Sequence, residues 1–114
     1  MAKEYLGEFE ELILTMVAAL QEDAYGAAIA EEIETRLKRD VNLSAVHVTL
    51  YRLEDKGYIK SYDGEGTEER AGRPKKYFQI TALGKKAMEY SKTTRDDLWS
   101  AIPKMAWNVK VVNG

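Results

Sequence analysis

The chain has 114 residues, 45% of them hydrophobic and 32% charged, with a formal net charge of −2. This is enough for one domain with a modest core, plus an extension at most. It holds no cysteine and one histidine. Disulfides and thiolate metal sites are thereby excluded, His-based metal centres and Ser-His-Asp hydrolysis lack their parts, and a reducing cytoplasm is expected. No apolar run is long enough to span a bilayer, and Met1-Ala2-Lys3-Glu4-Tyr5 lacks the apolar core of a signal peptide.

In chain order, Glu8 to Gln21 is predicted as a helix. Phe9, Leu12, Ile13, Met16, Val17 and Leu20 recur at helical spacing, and Glu8, Glu10 and Glu11 occupy the first turn, where the helix dipole favours anions. Asp23 is expected to cap a second helix to about Arg39, with Ala27, Ile29, Ala30, Ile33 and Leu37 inward and Glu31, Glu32 and Glu34 outward. Asp40-Val41-Asn42 is a break, in which Val41 can supply a one- or two-residue strand. Asn42 or Ser44 caps a third helix through about Lys56, and Gly57 ends it at the C′ position. Val46, Leu50 and Leu53 form its core stripe; Ser44, Ala45, His47, Val48, Thr49, Tyr51 and Arg52 form its other face.

Tyr58 to Tyr62 alternates as a strand does, with Tyr58, Lys60 and Tyr62 on one side and Ile59 and Ser61 on the other. Asp63 to Gly72 is a turn-rich loop, and Lys75 to Ile80 returns as the second strand of a long-tipped hairpin. Thr81 caps a last helix with an apolar stripe of Leu83, Ala87, Tyr90 or Ser91, Thr94, Leu98, Ile102 or Ala101, and Met105. Pro103 kinks or ends it, and residues 105–114 form a tail of undetermined form.

The fold class is therefore mainly α with a small β-hairpin. Its charge is unevenly spread: residues 1–69 hold 7 Lys/Arg against 16 Asp/Glu, net −9, and residues 70–114 hold 10 against 3, net +7. Arg70, Arg73, Lys75 and Lys76 place four cations in seven residues at the hairpin tip. A basic tip beside a helix whose outer face is small and hydroxyl-bearing describes a winged helix-turn-helix. The third helix would read bases in a major groove and the wing would grip phosphate or minor groove. The expected DNA-binding residues are Ser44, His47, Thr49, Tyr51, Arg52, Arg70, Arg73, Lys75 and Lys76.

Several segments also resemble the PadR-like family of bacterial transcriptional regulators: Tyr25-Gly26, Arg52-Leu53-Glu54-Asp55-Lys56-Gly57-Tyr58-Ile59, and above all Arg70 through Gly84. The resemblance covers about residues 7–90. It implies a homodimeric winged helix-turn-helix that usually represses its promoter from a pseudo-palindromic operator, with the last helix making the dimer contact. Many members release DNA on binding a small aromatic or hydrophobic compound. On this view residues 1–81 are the winged-helix DNA-binding domain, and 82–114 the C-terminal dimerisation helix and tail. His47 stands where the family usually has Tyr.

Trp99, with Leu98 and Ile102 beside it, and Trp107 beyond Pro103 are candidates for a dimer seam or the floor of an effector site. Tyr25 and the methionines Met16, Met88 and Met105 are expected as core or interface filler. No cofactor, metal or membrane partner is expected. An enzyme is not supported, because no nucleophile–base pair, carboxylate dyad or phosphate-cradling Gly loop is visible. The alternative function is a winged-helix module that docks an acidic protein instead of DNA.

Overall fold

The computed structural model describes residues 5–66 and 74–110. Three helices, a hairpin and a long fourth helix follow one another: α1 Glu8–Leu20, α2 Gly26–Leu37, α3 Leu43–Asp55, β1 Ile59–Gly66, β2 Pro74–Ile80 and α4 Ala82–Ser100. Short 3-10 turns occupy Gln21–Asp23 and Lys104–Trp107. No described helix is long and apolar enough to cross a membrane.

The core lies where α1, α2, α3 and the inner face of the hairpin meet. Ile13, Leu14, Val17, Ile29, Ile33, Val46, Leu50, Leu53, Ile59 and Phe78 are all removed from solvent. Leu14 lies outside the predicted stripe of α1. That helix touches α2, α3, β2 and α4, so it buries a wider arc than a single stripe covers.

The second helix starts later than Asp23 suggested. Ala24 is buried, and its carbonyl accepts a hydrogen bond from the Phe78 amide at 2.9 Å. Tyr25 pairs antiparallel with Tyr77 as an isolated bridge. Residues 24 and 25 are thus held extended against the hairpin, and α2 begins only at Gly26, with Tyr25 as an N-cap that makes no side-chain bond. Asp23 sits in the 3-10 turn instead. The short strand expected at Val41 is absent, and the described residue outside the hairpin that pairs with it is Tyr25. Lys38 adopts a left-handed conformation with φ of 51° and ends α2 after Leu37, two residues short of Arg39. Ala27 and Leu37 are exposed, not inward.

The third helix follows the expectation closely. The Asn42 side chain accepts from the amides of Ser44 at 2.8 Å and Ala45 at 3.3 Å, so Asn42 is the cap. At the other end Gly57 takes φ of 81°. Its amide donates to the Glu54 carbonyl at 2.9 Å, and the Tyr58 amide donates to the Leu53 carbonyl at 3.0 Å. This pair of bonds is a Schellman closure.

The hairpin is antiparallel, with Ile59 opposite Ile80, Ser61 opposite Phe78, Tyr62 opposite Tyr77 and Asp63 opposite Lys76. It runs on to Gly66 opposite Pro74, with an irregularity after Asp63, so the first strand is longer than Tyr58–Tyr62. Thr81 then joins hairpin to α4. Its hydroxyl accepts from the Gly84 amide at 3.1 Å and donates to the Gly57 carbonyl at 2.6 Å, while its amide donates to the Tyr58 carbonyl at 3.0 Å. A Cβ on Gly84 would lie 2.1 Å from the Tyr58 oxygen. Only glycine lets the first turn of α4 sit this close to the backbone it crosses.

Beyond this joint, α4 leaves the body. Ala87 and Met88 still pack on the core, Tyr90 stacks at 5.5 Å on Tyr5, and Arg95 pairs with Glu11. Past Arg95, Leu98, Trp99, Met105 and Trp107 are exposed, and Ile102 is half-buried. The radius of gyration, 17.7 Å, exceeds the roughly 13 Å of a compact chain of this length.

Candidate nucleic-acid interface

The outward stripe of α3 is Ser44, Val48, Tyr51 and Arg52, all exposed and spaced at one helical turn. Leu50, one position before Tyr51, is fully buried, so the helix separates a packing face from a free one. Thr49, expected on the free face, is only 5% exposed and points inward. The helical period places it beside Val46 and Leu53, on the core side. His47 is half-buried, with its ring over the backbone of Gly26, where an added Cβ would come within 2.4 Å of the imidazole. This close approach gives the Tyr25-Gly26 pair its structural sense. Val48 was absent from the predicted site residues, although its spacing from Ser44 and Tyr51 pointed to it.

The root of the wing lies alongside. Strand alternation sends Lys75 and Lys76 to opposite faces of β2. The Lys76 ammonium lies 5.3 Å from the centre of the Tyr51 ring, on α3, and Tyr51 stacks loosely on His47 at 6.5 Å. The Lys75 ammonium lies 4.3 Å from the centre of the Tyr25 ring. Both distances suit cation–π attraction. Lys76 therefore bridges wing and α3 into one surface with Ser44, Val48 and Arg52. Arg70 and Arg73, the other predicted wing cations, lie outside the described residues.

The back of α3 is anchored. Lys56 donates to Glu10 of α1 at 2.8 Å, and the Gly7 amide donates to the same carboxylate at 3.0 Å. Burial works to raise the Glu10 pKa, but these two bonds and the charges of Lys56 and Arg52 outweigh it, and the carboxyl is held below its ordinary value. Ser61 on β1 donates to Glu54 on α3, tying the wing to the same helix.

At the far end of α4 a second surface forms. Leu98 and Trp99 are each 67% exposed, and Trp99 packs on Trp107 at 5.2 Å. Arg95, Asp96, Leu98, Trp99 and Ile102 line an open cavity of about 350 Å³. The predicted dimer or effector residues Leu98, Trp99, Ile102 and Trp107 are thus brought together within a single chain.

The transcriptional regulator PadR-like family model matches residues 13–90. The chain belongs to this family. Among solved structures it is similar to a PadR family transcription regulator from Clostridium difficile R20291, at 27% identity and a TM-score of 0.64, over 82% of this chain and 93% of that one. It is also similar to a transcriptional regulator from Clostridium thermocellum, at 26% identity and a TM-score of 0.61, over 89% and 92%. A protein from Streptococcus mutans UA159 shares the fold end to end, with a TM-score of 0.67 over 98% of this chain and 100% of that one at 24% identity. No curated protein matches at a significant level. The PadR-like assignment makes the chain a winged helix-turn-helix transcription regulator, with α2 and α3 as the helix pair and β1–β2 as the wing.

Proposed function

We propose that this PadR-like protein binds double-stranded DNA sequence-specifically as a cytoplasmic homodimer and represses transcription from a pseudo-palindromic operator. One observation carries the reading: the free stripe of α3 and Lys76 of the wing form one surface, joined where Lys76 meets Tyr51. A groove-filling helix needs short or planar groups at one-turn spacing, and Ser44, Tyr51 and Arg52 supply them; Val48 offers a methyl face to thymine. Lys75 and Lys76 supply phosphate contacts, which Arg70 and Arg73 would extend. Residues 1–81 act as the DNA-binding unit and residues 82–114 as the dimerisation unit, with Leu98, Trp99, Ile102 and Trp107 at the seam. The cavity beside Trp99 suits a small aromatic or hydrophobic effector. Repression, rather than activation, follows the resemblance to the family.

The test is equilibrium binding to duplex DNA across a salt series. Wild type should bind the intergenic segment upstream of its gene more tightly than a scrambled duplex. Lys75→Ala with Lys76→Ala should weaken both and flatten the log–log salt slope by roughly 0.9 per lost phosphate contact. Arg52→Ala should change the preferred sequence. No affinity of the wild type for any duplex at low salt rejects the reading. Sedimentation of wild type and Leu98→Asp tests the dimer, which the aspartate should split.

A further inference from the structure

Tyr25 lies at the N-cap of α2, away from the free stripe of α3. It nevertheless holds the root of the wing in two ways. Its backbone pairs with Tyr77, and its ring meets the Tyr77 ring edge-on at 5.5 Å. Tyr77 in turn stacks on Tyr62 at 5.7 Å, nearly parallel. That ring has room because residue 64 is glycine: a Cβ there would come within 2.3 Å of it. The outer face of the hairpin is therefore a short column of three tyrosine rings, and the Lys75 ammonium lies over its Tyr25 end at 4.3 Å.

From this arrangement we propose that Tyr25 is a positioning residue for DNA binding: its ring fixes the Lys75 ammonium before DNA arrives. The inference rests on the DNA-binding reading above and deepens it. A lysine carries four rotatable carbons whose freedom is lost when its charge is fixed on a phosphate. A ring that already restrains the stem removes part of that loss from the binding step. The ring attracts the ammonium without neutralising it, whereas a carboxylate at this place would cancel the charge that phosphate is to meet. Asp63 lies opposite Lys76, and no ion pair of Lys75 occurs among the described residues.

Two measurements test this. The first needs no DNA. In the wild-type protein the terminal methylene resonances of Lys75, assigned by their loss in Lys75→Met, should be moved upfield by the ring current. They should keep that shift in Tyr25→Phe and lose it in Tyr25→Leu. Ordinary lysine shifts in the wild type overturn the proposal, even if Tyr25→Leu fails to fold. The second is a binding cycle on random duplex at low salt. Tyr25→Leu should weaken binding about two- to fivefold in the Lys75 background and not at all in Lys75→Met, while Tyr25→Phe matches wild type. Equal weakening in both backgrounds overturns the proposal and leaves Tyr25 as packing alone. A ring-shifted Lys75 in a protein that binds no duplex at any salt overturns the DNA-binding reading, and with it any role of Tyr25 in DNA binding.

Discussion

Phe78 and Trp99 are both large aromatic side chains, and they meet opposite fates. Phe78 is 1% exposed, inside a sheet face that closes over α1 and α3; Trp99 is 67% exposed on a helix that has outrun its neighbours. Local hydrophobicity does not separate them. What separates them is whether another part of the same chain reaches the spot. The hairpin root is covered by α1 and α3, whereas among the described residues Trp99, beyond the Arg95–Glu11 pair, meets the turn that carries Trp107. An apolar cluster left exposed in this way, Leu98 with Trp99 and Trp107, is the kind of surface on which something outside the fold binds.

The contrast can be broken at several points. Phe78→Ala should have the largest effect, a loss of about 3–5 kcal/mol in denaturant unfolding, enough to unfold much of a small domain of ordinary stability. Gly84→Ala comes next. The new methyl must push the start of α4 off the Tyr58 carbonyl, and overpacking of this kind costs about 1–3 kcal/mol. Glu10→Gln should cost about 1.5 kcal/mol at neutral pH, since it weakens a charge-assisted bond to Lys56. The Glu10 carboxyl has a lower pKa folded than unfolded. Its contribution is therefore fully present above the unfolded value near 4.5 and is lost as pH falls through the folded value. Unfolding curves from pH 7 to pH 3 should thus converge for wild type and Glu10→Gln. Trp99→Ala should have the smallest effect on the protomer, within about 0.5 kcal/mol. It should, however, abolish any dependence of the melting temperature on protein concentration. A large loss of protomer stability there would erase the distinction between the two regions.

Much of this was legible beforehand, for reasons that can be named. The stripe Val46, Leu50 and Leu53 and the Gly57 ending made α3 readable, because cap, period and stop signal agreed. Thr81 read correctly as a cap for the same reason. The start of α2 was not readable. Asp23 is a good capping residue, but the hydrogen bond from Phe78 to Ala24 comes from more than fifty positions away and overrides the local preference. Thr49 was misplaced because its hydroxyl suggested the free face, while the helical period puts it on the core side. At the site, charge pointed to the wing lysines. It could not point to the contact of Lys75 with Tyr25 or of Lys76 with Tyr51, which depends on where the hairpin folds back, although Tyr51 itself was expected on the free face of α3. Val48 was expected on the outer face of α3, where it is exposed, but its apolar side chain kept it out of the residues expected to bind DNA.

The Thr81 joint has a mechanical consequence. Two hydrogen bonds from Thr81, to the Gly57 and Tyr58 carbonyls, and a missing side chain at Gly84 clamp the base of α4 to the junction of α3 and β1, and the helix then runs 19 residues, about 28 Å. A swing of about 5° at the base would move the tip by roughly 2.5 Å over that length. Because Met88, Tyr90 and Arg95 also hold α4 to the body, such a swing has to carry those contacts with it or break them.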